Sequence, residues 1–249
     1  MKVSIVTAVY NRRSSILQAL ESVDRQSHRD LEHIVVDGMS TDGTVELIRE
    51  KSGDRTIILS ERDDGIYDAL NKGIKLSTGG VIGLMHSDDV FAHNHVIERV
   101  CDAFRDQSID AVYGDLQYVS AKEPSRVVRH WRAGSFSQQK LAWGWMPPHP
   151  TLYLRRSVFE RFGAYDTRYR IAADYDAVLR YFGKGNIRSA YIPEVMVKMR
   201  TGGESNRSIK SIVRKSVEDY RALRANDVGG ILTLILKNIS KLRQFEPTK

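Results

Sequence analysis

VSIVTAVYNRRSSILQALESVDRQSHRDLEHIVVDG (3–38) decides how this chain folds. It opens with VSIVTAV (3–9), an apolar run rich in β-branched residues. SSILQALESVDRQ (14–26) then carries apolar residues at helical spacing, and LEHIVVDG (31–38) is a second apolar run ending on Asp37. A strand, a helix and a strand in that order predict two parallel strands joined by a crossover helix.

The unit repeats. The turn STDG leads into a helix, TVELIREK (44–51), and TIILSE (56–61) is a third strand. GIYDALNKGIKLS (65–77) is a helix whose Ile66, Leu70, Ile74 and Ala69 should face inward. GVIGLMHSDD (80–89) is a fourth strand ending on two aspartates. A helix from about His95 to Asp106 and the strand DAVYGDLQYV (110–119) follow. Parallel sheets of this kind bind ligands beyond the carboxyl ends of their strands. Asp37 and the pair Asp88-Asp89 fall at such ends.

The second half is less regular. RVVRHWRAG (126–134) reads as a strand, and WGWMPPHPTLYLRR (143–156) as a Pro-rich loop running into another. SVFERFG is a short helix closed by Gly163. DYDAVLRYFG (174–183) is a helix that Gly183 should stop, and YIPEVMVKMR (191–200) is extended. From Ser208 two helices flank Gly229-Gly230. Residues 1–203 read as the catalytic region, with a nucleotide-binding half (1–120) and an acceptor half (121–203). Residues 204–249 read as a basic helical extension.

Composition narrows the function. With 41% hydrophobic and 28% charged residues in 249, the chain can bury a sizeable core. Cys101 is the single cysteine, so no internal disulfide or cysteine-rich zinc site can form, which favours the cytoplasm. No run is long and apolar enough for a membrane span. The net charge is +7, but residues 207–249 carry ten Lys and Arg against four Asp and Glu, and the rest carries 28 against 27. A neutral body with a basic tail, lacking any nucleic-acid-binding motif, argues against a nucleic-acid partner. There is no GxGxxG after the first strand, no GxxxxGK[ST] and no GxSxG, so dehydrogenase, P-loop NTPase and serine-hydrolase chemistry lose their usual support.

Three clusters remain. Thr7, Tyr10 and Asn11 follow the first strand and face Asp37, which can accept hydrogen bonds from a base or ribose. Asp88 and Asp89 would repel each other without a cation, and a divalent metal bridging them to a diphosphate removes the conflict. A turn or helix cap is the plainer role for such a pair. His86, His93 and His95 read as ordinary surface or cap residues. Asp174 stands at a helix start, where capping is its plain role, and Asp176 should point to solvent.

The string VSIVTAVYNR…IVVDGMSTDGT…SERDDGIYDALNKGI…GGVIGLMHSDD…PHPTLYLRRSVFERFGAYD…ADYDAVLR resembles the family 2 inverting glycosyltransferases, especially bacterial members that build polysaccharides and lipid-linked glycans. The match spans about residues 1–203. It implies an α/β glycosyltransferase-A fold: a Rossmann-like nucleotide-binding half, a mixed central sheet and C-terminal helices. It also implies a nucleotide-diphosphate sugar donor and a hydroxyl on a glycan or lipid-linked acceptor. Asp37 would bind the base, with Thr7, Tyr10, Asn11, Asp64, Asn71 and Lys72 around the nucleoside. Asp88 would lie near ribose or metal, Asp89 would be the main ligand of Mg²⁺ or Mn²⁺, and Asp174 would be the catalytic base. Ala173 stands where the family usually has glutamate, and Ser87 takes the first acidic place of a strict D-x-D. Arg200 and Gly202-Gly203 are candidates for a diphosphate clamp. Trp143, Trp145 and His149 border the acceptor side.

Two other functions share these features. A sugar-phosphate nucleotidyltransferase would need a glycine-rich phosphate loop where this chain has YNRRSS. A non-catalytic nucleotide- or glycan-binding relative would have no reason to keep Asp37, Asp89 and Asp174 together. Within 228–245, Val228, Ile231, Leu232, Ile235, Ile239 and Leu242 recur at helical spacing, widened by Leu234, Leu236 and Phe245 and flanked by Lys237, Lys241 and Arg243. That face should meet an anionic membrane at the inner leaflet, a second subunit or the catalytic domain.

Overall fold

The computed structural model describes residues 1–121, 123, 125–201 and 209–242. Gly202, Gly203, Arg243 and Phe245 lie outside the described residues, as do the side chains of Lys241 and Leu242. One mixed sheet organises the chain. Strands β1 (Val3–Val9), β2 (Leu31–Asp37), β3 (Thr56–Ser60) and β4 (Val81–Leu84) are parallel, in the spatial order β3-β2-β1-β4. β8 (Tyr153–Arg155) runs antiparallel between β4 and β6 (Ala111–Val119). Beyond β6 lie β9 (Ser189–Arg200), parallel to it, and then β5 (Val90–Phe91). β7 (Val127–Trp131) pairs antiparallel with the far end of β6.

Alternation along the central strands divides the core. On β1, Val3, Ile5 and Val9 enter one cluster and Val6 and Ala8 the other. Helices α1 (Ile16–Asp24) and α4 (Val96–Ala103) cover the first face. α3 (Ile66–Leu76), α6 (Arg156–Phe162) and α7 (Ala173–Val178) cover the second. Gly73 lets α3 lie directly on β1 and β2, because a Cβ there would run into Val6 and Val36. Helices α2 (Thr44–Lys51), α5 (Gln138–Ala142), α8 (Ile209–Ala225) and α9 (Ile231–Leu242) complete the chain. Ala222 and Leu223 of α8 join the second cluster.

Three local expectations need correction. Ile66 is exposed: it begins α3, and the inward stripe starts one turn later at Ala69 and Leu70. Gly183 does not stop its helix. After Val178 the helix widens into a π-helical segment, Leu179–Lys184, that buries Tyr181 and Phe182. Gly183 lies within that segment, facing Val228 and Leu141. Asp176 is buried rather than solvent-facing, bonded to Arg180 (3.2 Å) and to Asn226 Nδ2 (2.8 Å).

Candidate active site

Because β1, β2 and β4 are parallel, their carboxyl ends share one edge of the sheet. Tyr10 and Asn11 follow β1, Asp37 ends β2, and His86–Asp89 follow β4. Asn11 adopts φ 49° and ties its loop to the next one. Its backbone N–H donates to Ser40 Oγ (2.8 Å), and its Oδ1 accepts from the N–H of Thr41 (2.8 Å). Tyr10 is exposed above this edge. Asp37 is fully buried. It accepts from Ser60 Oγ (2.8 Å), from the N–H of Ser40 (3.0 Å) and from the Ser40 hydroxyl. Its carboxylate therefore fixes the β2 and β3 ends with three of its roughly four acceptor sites.

The remaining nucleoside candidates separate by environment. Thr7 is enclosed within β1, and its Oγ1 bonds His33 Nε2 (2.9 Å), so its side chain belongs to the core. Asn71 is bonded both ways to the backbone of Tyr165, accepting at 2.9 Å and donating at 2.8 Å. It straps α3 to the loop before α7. Lys72 pairs with Glu61 (2.9 Å) and Asp68 (3.3 Å). Asp64 is exposed, its carbonyl held by Arg170 (2.9 Å). The neighbouring Asp63 approaches Gly38 closely enough that a Cβ there would collide with its carboxylate.

The residues after β4 carry the strongest electrostatic signal. Asp89 is 1% exposed. Its Oδ1 accepts from the N–H of Arg200 (3.3 Å), while its Oδ2 is buried with no hydrogen-bond partner. Burial, and then the charge of Asp88, push its carboxyl well above the usual range, against the pull of Arg200. A cation at Oδ2 would relieve both effects. Among the described residues no group of three or more His, Cys, Asp or Glu side chains forms a complete metal cage. Two carboxylates alone still suit Mg²⁺ or Mn²⁺, which keep waters and take other ligands from a substrate's phosphates. Arg200, at the end of β9, thus stands beside Asp89.

Asp174 reaches this edge from the other half of the chain. Ala172, not Asp174, caps α7, and the Asp174 carboxylate accepts from the N–H of Tyr175 (2.7 Å). Two histidines lie beside it. Burial lowers the pKa of His86 against the charges of Asp88 and Asp174, so one imidazole senses both carboxylates. Burial pushes His149 down to about 4, with Asp174 opposing. His149 Nε2 bonds Tyr165 OH (2.8 Å), and its ring lies 5.9 Å from that of His86. Burial also works to raise Asp174, but the charges of His149, Lys215 and Lys237 outweigh it and leave the carboxyl below its ordinary value. Tyr67 and Tyr118 also feel the Asp174 charge.

Support for Asp174 comes from the C-terminal helices. Buried Glu218 of α8 accepts the N–H groups of Ile171 (2.7 Å) and Ala172 (3.1 Å), capping the start of α7 from outside. Behind it, Asp219 pairs with Lys237 (2.9 Å) and Lys215 (3.1 Å).

Sequence reasoning placed Asp88, Asp89, Asp174 and Arg200 around this edge but read His86 as peripheral. Its position next to the SDD run was the available signal. His93 and His95 remain apart from the site, against Glu194 and Glu98. Trp145 packs on Tyr113, Phe136 and Phe182 as a core residue, whereas Trp143 is exposed.

The sequence model of the glycosyl transferase family 2 matches residues 4–163. The chain belongs to glycosyl transferase family 2. This glycosyltransferase is 31% identical over 208 residues to a PGL/p-HBAD biosynthesis glycosyltransferase of Mycobacterium bovis, covering 82% of this chain and 78% of that one. It is 30% identical over 183 residues to the uncharacterized glycosyltransferase Rv1514c of Mycobacterium tuberculosis, covering 72% and 68%. The mannosyltransferase PcManGT from Pyrobaculum calidifontis, solved with GDP-Man and Mn²⁺, superposes with a TM-score of 0.68 at 18% identity, covering 98% of this chain and 72% of that one. S. aureus TarS 1–349 with UDP-GlcNAc superposes at 0.66 and 17% identity, covering 92% and 66%. The chain spans 39% of the longer TarS chain. These likenesses establish the glycosyltransferase-A fold.

Proposed function

We propose that this glycosyltransferase moves a sugar from a nucleoside-diphosphate donor to a hydroxyl on a glycan or lipid-linked acceptor, inverting the anomeric configuration. The carrying observation is the buried Asp89 carboxylate after β4, whose Oδ2 has no hydrogen-bond partner. Similar folds that hold UDP-GlcNAc, or GDP-Man with Mn²⁺, support a nucleotide-sugar donor.

In this reading the nucleoside lies over the ends of β1 and β2, beside Tyr10 and the Asn11–Ser40 loop that Asp37 fixes. Thr7, Asn71 and Lys72 support that surface from within or from its flank, and Asp64 stands at its margin. Asp89 and Asp88 would hold Mg²⁺ or Mn²⁺, which would offset charge on the leaving diphosphate. Arg200 adds positive charge on the same side. Asp174, ionised at neutral pH, accepts the acceptor hydroxyl's proton. The hydroxyl oxygen forms its bond to the anomeric carbon as the bond to the diphosphate oxygen breaks, and the nucleoside diphosphate departs. Neutral His149 and its partner Tyr165 shape the wall beside Asp174.

A sugar-phosphate nucleotidyltransferase is disfavoured, because residues 10–15 contain no glycine to cradle a triphosphate. A donor screen with Mn²⁺ identifies the nucleotide sugar. Asp174→Asn, tested with that donor, keeps the shape and loses the base. We expect kcat to fall about a hundredfold or more with donor affinity little changed. Near-normal kcat would move the base elsewhere. Full turnover in excess chelator would refute the metal's role.

A further inference from the structure

The two C-terminal helices carry their amphipathic faces in reverse. On α8 the inward side holds buried Glu218 and Asp219 along with Ala222 and Leu223, and buried Asn226 follows its last residue. Its outward side presents Ile212, Val213, Val217 and Tyr220, with Val213 57% exposed. On α9, Thr233 and Lys237 are buried, while Ile231, Leu232, Ile235 and Ile239 are exposed, Leu232 by 69%. Ala222, Leu223 and Leu234 face the core, but both helices also turn polar side chains inward to the shared Lys237–Asp219 pair, and the exposed aliphatic residues face away from the body. A helix packed only against its own domain shows the opposite pattern, and this much exposed aliphatic surface marks a contact site.

The charges on the same helices are sorted as well. Both acids of α8, Glu218 and Asp219, point inward, whereas Arg214, Arg221 and Arg224 are exposed. No acid occurs in α9. Asp227, in the turn between the helices, is the acid exposed there. The outward surface is therefore aliphatic and cationic.

We infer that this face of α8 and α9 docks on an anionic lipid surface, with the aliphatic residues entering the headgroup–acyl boundary and the arginines among the phosphates. Among the described residues no helix is long and apolar enough to cross a bilayer, so the helices lie along it. Charge decides between lipid and a second copy. A two-fold dimer apposes the same patch on both copies. It would bring Arg214, Arg221 and Arg224 of each copy together with almost no acid to receive them, and uncompensated charge at a dry interface is costly. Lipid phosphates supply the missing anions, and arginine stems reach them while the apolar residues insert. The inference goes beyond the proposed transfer reaction and does not depend on it.

The test uses the full chain with phosphatidylcholine vesicles prepared with and without phosphatidylglycerol, read by co-sedimentation at low and high salt. The protein should pellet with the anionic vesicles, remain in solution with the neutral ones, and be released at about 0.5 M salt, where screening is nearly complete. Ile235→Glu/Ile239→Glu should weaken binding by at least about tenfold. Arg221→Glu should weaken it by about fivefold or more. Both variants should keep the wild-type far-ultraviolet circular dichroism spectrum and melting temperature, which separates failed docking from failed folding. No pelleting of the wild type with anionic vesicles at low salt would overturn the inference. So would wild-type binding by the folded Ile235→Glu/Ile239→Glu variant. A concentration-dependent dimer that the same variant dissolves would assign the face to a second copy instead.

Discussion

Glu218→Ala tests whether the C-terminal helices hold α7, which carries the proposed base Asp174, in place. Glu218 accepts the N–H groups of Ile171 and Ala172 at 2.7 and 3.1 Å, and Ala172 is fully buried. Truncation leaves two backbone donors without partners at the entrance to α7. A hydrogen bond to a charged group contributes about 1.5–3 kcal/mol, and losing a helix cap costs about 0.5–2 kcal/mol, so the two effects, which overlap, sum to roughly 3 kcal/mol. For a chain of this length that corresponds to a fall in Tm of about 6–12 °C. Asp174 lies two residues beyond Ala172, and displacement by about an ångström can cost up to a hundredfold in rate. Thermal unfolding and steady-state kinetics with a saturating donor give both readouts. Glu218→Gln keeps an acceptor oxygen and should lose only about 1 kcal/mol, with kcat largely retained and donor KM unchanged. If Glu218→Ala and Glu218→Gln melt together and turn over equally, the cap does not position Asp174.

Two further perturbations probe the frame around the site. Burial depresses His33 to about 3, far below an unfolded histidine, so from pH 6.5 downward the unfolded state binds a proton that the folded state refuses. Stability should therefore fall by about 1.4 kcal/mol per pH unit on this account as pH drops from 6.5 towards 3. His33→Gln keeps a partner for Thr7 and should flatten the slope in urea-unfolding free energies between pH 6.5 and 4.5. An unchanged slope would show that His33 does not contribute it. Gly144 has φ +78°, and a Cβ there would stand 2.7 Å from Lys237 Cα. Gly144→Ala should thus lift α9 from its seat and cost about 2 kcal/mol or more, seen as a lower Tm and earlier proteolysis of the C-terminal helices.

The parallel half was legible because its cause is local. Each of β1 to β4 is an apolar run bounded by turn residues, and TVELIREK read as a helix forms one over the same residues. The SDD pair and Asp174 each had a turn or helix cap as a plain role, and they stood out through the resemblance of the surrounding string to the family. The residues that the sequence left hidden depend on distant partners. Glu218 sits 47 and 46 positions from the amides it caps, and nothing in its own helix signals them. Helical spacing likewise marked Ile231, Leu232, Ile235 and Ile239 as one apolar stripe but carried no information about its direction. Buried Lys237, 2% exposed, settles that direction through its pair with Asp219. His86 was missed for a related reason: only the folding of residues 172–178 over the sheet edge places a second carboxylate beside it.

The insertion of β8 between β4 and β6 bears on how the chain is made. β4 is in the growing polypeptide by residue 84, but the strand that pairs with its free side is residues 153–155. At about 5–20 residues per second, ribosomes leave that interval open for several seconds. Throughout it, Val81 and Ile82 present unpaired backbone on an apolar strand, the kind of edge that recruits other chains. Nascent chains on one messenger can therefore join edge to edge before Leu154 arrives to close the sheet, so slow synthesis through residues 85–152 carries an aggregation hazard that the finished molecule no longer shows.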